Sequence, residues 1–98
     1  MESNYAFVPA YYEWHLIEKS NPEKVLLNVI DPCEECYNEE TGEAYSLEEL
    51  SDMCSSWLVE EQRQAEDRGD YDRVEELESI PPRVDDVMAR ALYDYYIA

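Results

Sequence analysis

The chain has 98 residues, enough for one domain around one modest core and too few for two. Its 25 acids against 7 bases give a net charge of -18, which disfavours direct binding to nucleic acid or to an anionic membrane, because both need cations to neutralise phosphate. Apolar residues at 45% and aromatics at 12% exclude a disordered acidic tail.

Residues 1–10 show no clear period, and Pro9 interrupts them. From Tyr12 to Lys19 the aromatic and β-branched content predicts a strand with Tyr12, Trp14 and Leu16 on one face. Ser20-Asn21-Pro22-Glu23 reads as a turn, and Lys24 to Asp31 as a second, mostly apolar strand closed by Asp31-Pro32, so the pair reads as a β-hairpin. Cys33 to Gly42 is polar and acidic, and Glu43 to Tyr45 is long enough for a short third strand. Ser46 with Glu49 forms a capping box, with Tyr45 and Leu50 as a hydrophobic staple, and Leu47, Leu50, Cys54, Trp57 and Leu58 recur at helical spacing behind it. Gly69 and Asp70 mark a stop and a restart, giving a second helix from Tyr71 to Glu78. After Pro81-Pro82, Val84, Val87, Met88, Ala91, Leu92 and Tyr95 form a third helical stripe. The expected fold is a single acidic α+β domain over residues 1–98, with a small antiparallel sheet packed against two or three C-terminal helices.

The three cysteines, the lack of a run of ~18 apolar residues and the absence of a basic-then-apolar start predict a cytosolic protein with thiols or a metal rather than a disulfide. Cys33 and Cys36 form a CxxC that suits zinc, with Cys54 and His15 as the remaining ligands. Against zinc stand the missing second CxxC, the place of Cys54 on the core stripe and the alternation of His15 away from Trp14, so no cofactor is expected. His15 is the sole histidine, and Gly42 and Gly69 are the only glycines, which leaves no nucleophilic triad and no phosphate-cradling loop. The acidic stretches 31–43 and 67–78 do not match an EF-hand. Binding rather than catalysis is therefore expected.

The acids are unevenly placed: residues 31–66 carry 12 acids and 1 base, against 4 and 2 before them and 9 and 4 after. The expected contact residues for a basic partner are Glu34, Glu35, Glu39, Glu40, Glu43, Glu48, Glu49, Asp52, Glu60 and Glu61, with Tyr37 inside the most acidic stretch. Tyr12, Tyr45, Tyr71 and Tyr95 fall where the core or a staple needs them, which leaves Tyr37, Tyr93 and Tyr96 for the surface. In size and charge the chain resembles the small acidic inhibitors that bacteriophages and mobile elements direct at nucleic-acid-binding defences, anti-CRISPR proteins among them. That resemblance implies a DNA-mimicking surface and a nucleic-acid-binding protein or nuclease complex as partner. An acidic adaptor or chaperone-like module for a basic protein, and a small CxxC zinc domain, are the alternatives.

Overall fold

The computed structural model describes residues 4–98. Three strands, β1 (Tyr5–Ala10), β2 (Glu13–Glu18) and β3 (Asn21–Ile30), precede three helices, α1 (Leu47–Asp67), α2 (Tyr71–Glu78) and α3 (Val84–Leu92), and a terminal π turn (Tyr93–Ile97). The fold is α+β, with an antiparallel sheet in the order β1-β2-β3 and the helices in the C-terminal part.

The third strand is not Glu43 to Tyr45. That stretch makes one isolated bridge, Tyr37 with Ala44, and the sheet is completed instead by β1. Pro9 is tolerated there because β1 is an edge strand, where a missing N–H breaks no ladder. The turn expected at residues 20–23 is narrower: Lys19 and Ser20 connect β2 to β3, with Glu18 opposite Asn21. Beyond it the register slips, so that Leu16 faces Leu27 while Ile17 faces Val25. Leu26 is the extra residue of this bulge, which is how two successive leucines both become buried in a strand of period two.

Phe7, Leu16 and Leu27 lie opposite one another across the sheet and point at the helices, alongside Trp14. Leu50 and Cys54 of α1, Val84, Met88 and Leu92 of α3, and Cys36 from the connecting loop close this core. Tyr12 does not join it. It sits with Tyr11 in the β1–β2 turn, at φ 61, and is exposed.

Helix α1 begins at the expected capping box: the Glu49 amide donates to Ser46 Oγ and the Ser46 amide to Glu49 Oε1, both at 3.2 Å. It ends in a Schellman arrangement, with Asp70 N–H donating to the Ala65 carbonyl (2.9 Å) and Gly69 N–H to that of Glu66 (3.0 Å). Gly69 supplies the required left-handed conformation, φ 74. Asp70 then caps α2 through Arg73 N–H.

Helix α2 is fastened by charge. The Arg73 guanidinium donates to the Leu26 carbonyl at the bulge and pairs with Glu76 at 2.7 Å, and Lys24 on β3 meets the same Glu76 at 2.8 Å. Tyr71, expected in the core, is exposed at the start of this helix. At the C-terminus the π turn carries the stripe of α3 past Tyr95, so Tyr95 is exposed while Tyr93, Tyr96 and Ile97 pack against the core.

Candidate functional site

The segment between β3 and α1 has little regular structure, so its shape depends on side-chain and turn hydrogen bonds. Cys36 is fully buried and donates from Sγ to the Pro32 carbonyl, and Tyr45 N–H donates to the Cys36 carbonyl at 2.9 Å. Asn38 Oδ1 accepts from the amides of Glu40 (2.8 Å) and Thr41 (3.2 Å), and Gly42, at φ 72, returns its N–H to the Asn38 carbonyl. Tyr37 anchors the loop from the other side: its hydroxyl donates to the Tyr96 carbonyl at 3.0 Å, across 59 residues of sequence. Glu39 and Glu40 are thereby held, exposed, at the loop's tip.

Facing this loop is the first half of α1. Glu49, Asp52, Met53 and Trp57 recur at spacings of three and four and so share one side of the helix. Loop and helix enclose an open groove of about 820 Å³. Its half-buried apolar part is Tyr37, Tyr45, Met53 and Trp57, and its charged part is Glu34, Glu35, Glu39, Glu40, Glu49 and Asp52. No lysine, arginine or histidine lines it.

Five of the seven lysines and arginines are paired with carboxylates elsewhere. Among the described residues, ion pairs join Lys24 and Arg73 to Glu76, Arg63 to Glu60 (2.9 Å), Arg73 and Arg68 to Glu61 (3.6 and 3.9 Å) and Arg90 to Asp94 (3.2 Å). None reaches a carboxylate of the groove. Six acids line one groove, and exposed charges of one sign reinforce one another over an opening wherever they fall within the ~10 Å screening length of 0.1 M salt.

Seven of the eleven expected contact residues, the six acids and Tyr37, therefore come together. The other four do not line the groove. Glu60 and Glu61 are neutralised by arginines two or more turns further along α1, which removes them from a free anionic face. Glu43 lies in the loop between the groove residues Glu40 and Tyr45 without lining the groove, and Glu48 lines a separate hollow with Ser51, Asp86 and Arg90. Asn38, Tyr45, Met53 and Trp57 were not expected at the site. The helical spacing of Met53 and Trp57 from Glu49 was the signal available for two of them.

The zinc set is not assembled. Among the described residues no three of His, Cys, Asp or Glu are grouped to hold a metal. His15 Nε2 lies 2.8 Å from Glu13 Oε1 on the sheet face opposite Trp14, while burial pushes the Cys36 thiol up to about 11 and the Cys54 thiol up to about 12. A thiol held protonated in this way is a poor ligand and a poor nucleophile.

No helix is long and apolar enough to cross a membrane among the described residues. Neither a protein-family model, nor a curated protein, nor a solved structure matches the chain.

Proposed function

We propose that this chain is a binding protein rather than an enzyme, and that its groove face occupies the cationic cleft of a nucleic-acid-binding protein or nuclease complex in place of phosphates. This is the mode of the phage and mobile-element inhibitors, anti-CRISPR proteins included, that the chain resembles in charge and size, and it places the protein in the cytosol with such a partner. One observation carries the reading: six carboxylates line a single groove from which every lysine and arginine is missing, although the chain has seven to place. The molecule's longest extent is 40 Å, a length of duplex DNA that bears about 24 phosphate charges at 1.7 Å each, of the same order as the protein's -18. Such a field accelerates encounter with a basic cleft and opposes entry of nucleic acid.

The test uses the partner recovered from host lysate at low salt. Added duplex DNA is expected to displace it, and the double reversal Glu39→Lys with Glu40→Lys is expected to slow association at least tenfold. Reversal of Glu66 and Asp67, about 21 Å further along α1 than Asp52 at 1.5 Å per residue, changes the net charge equally and is expected to slow it far less. Simultaneous binding of DNA and protein would assign an adaptor role instead. Equal effects of the two reversals would remove the groove from the mechanism.

A further inference from the structure

The other concave surface of interest adjoins the groove, and it is built from aromatic rings. Trp14 of β2 and Tyr95 and Tyr96 of the π turn stand at large angles to one another: Trp14 and Tyr95 are perpendicular with centroids 5.1 Å apart, and Tyr95 and Tyr96 cross at 76° and 4.9 Å. With Tyr12, Asp31 and Cys33 they line a pocket of about 320 Å³. The Trp14 indole N–H donates to the Tyr96 hydroxyl at 2.8 Å, which fixes two of these rings against each other.

Two features separate this pocket from ordinary core packing. First, Tyr95 is 62% and Tyr12 71% exposed, so large apolar rings are left in water around it. Second, Tyr12 (φ 61) and Asp31 (φ 41) are the two non-glycine residues at positive φ among the described residues, and both line it. A bulky side chain costs energy in that region, and the hydrogen bond from Asp31 N–H to the Tyr12 carbonyl, 3.0 Å, ties the two positions together. The chain thus holds Tyr12 beside Trp14 against the preference of a bulky side chain, while Asp31 is of a type that tolerates positive φ.

We propose that this pocket receives the guanidinium of an arginine side chain of the partner. Ring faces attract a cation through their quadrupole, and arginine, planar and weakly hydrated, stacks on aromatic faces better than lysine does. Asp31 adds a carboxylate at the same pocket. The Tyr37 hydroxyl bonded to the Tyr96 carbonyl links the pocket to the groove, so that one cationic surface can engage both. The assignment rests on the proposed function for the source of the arginine, and on the pocket's own geometry for the chemistry.

The probe is a blocked tripeptide, acetyl-Ala-Arg-Ala-amide, titrated into the intact protein at 0.15 M salt while the Trp14 indole N–H resonance is followed, assigned by its survival in Trp57→Phe. Saturable shifts are expected, about tenfold weaker for the lysine peptide and absent for the citrulline peptide, which keeps the shape and loses the charge. Tyr95→Ala, an exposed position, is expected to weaken binding about two- to fivefold, in line with a cation–π contact at an exposed ring. Glu39→Lys with Glu40→Lys is expected to leave the pocket able to bind the peptide, so failure of the groove reading and failure of this one are distinguishable. Equal binding of arginine and citrulline peptides, no saturable shift at all, or a Tyr95→Ala protein that binds as before would each overturn the assignment.

Discussion

The Arg73→Ala substitution tests whether charge fastens α2 to the sheet. The Arg73 side chain is 20% exposed, and its guanidinium donates to the carbonyl of the buried Leu26 while pairing with Glu76 and Glu61. Removing it strands a carbonyl at the β3 bulge, which costs about 1–3 kcal/mol, and breaks a partly exposed ion-pair cluster worth about 1 kcal/mol. A loss of roughly 3 kcal/mol corresponds to a melting temperature lower by roughly 12–24 °C for a domain of this size. Thermal melts followed by far-ultraviolet circular dichroism measure it, with Arg63→Ala as comparison. Arg63 and its partner Glu60 are both at least half exposed, and that pair is worth at most ~1 kcal/mol. Arg73→Lys is expected to fall between the two, since an ammonium keeps the charge without the guanidinium fork. If Arg73→Ala melted within 2 °C of Arg63→Ala, Arg73 would have no part in holding α2 to the sheet.

Four further outcomes are expected. The Glu76 carboxyl is held below its usual range first by the Lys24 hydrogen bond and then, past the opposing effect of burial, by Arg73, so its stabilisation is present above the unfolded value of ~4.3 and is lost as pH falls through the depressed folded value. Glu76→Gln should therefore flatten the acid limb of urea midpoints between pH 3 and 6, and an unchanged slope would remove that residue from the acid response. In native protein at pH 8, only Cys33 should react readily with a thiol reagent, because burial raises Cys36 to about 11 and Cys54 to about 12; rapid titration of all three would contradict their burial. Gly69→Ala should destabilise by about 1–2 kcal/mol through its positive φ alone, since nothing lies within 4 Å of an added Cβ, and Gly69→Asn should cost less; a neutral Gly69→Ala in a urea titration would argue against the Schellman end. Dialysis against EDTA should leave the melting temperature unchanged, and a fall would reinstate a structural metal.

Local chemistry alone carried the helices. Ser46 with Glu49, Gly69 with Asp70, and the stripes of Leu50 with Cys54 and of Val84 with Met88 depend on contacts three or four residues apart, so their signals lie within the pattern of the chain. The strand β2 was legible for the same reason. Its partner β1 was not, because an edge strand with a proline shows no clean alternation and is defined by the neighbour it pairs with. The tyrosines divided along the same line: the spacing that placed Tyr95 inside presumed a regular helix, and the π turn moved that role to Tyr96.

The acidic character of the protein, its α+β class and the concentration of charge in residues 31–66 follow from composition and order, which no folding can alter. Which carboxylates remain available does not follow from them. Arg63 with Glu60 and Arg73 with Glu76 are pairs at helical spacing, but only the tertiary structure placed Arg73 against Glu61 and Lys24 against Glu76, and left the loop around Asn38 facing Asp52 with no cation between them. The physical reason is distance: an ion pair needs its partners within 4 Å, and the loop, α1 and the C-terminal turn are brought together by a buried core and by one hydroxyl, on Tyr37, that reaches 59 residues away.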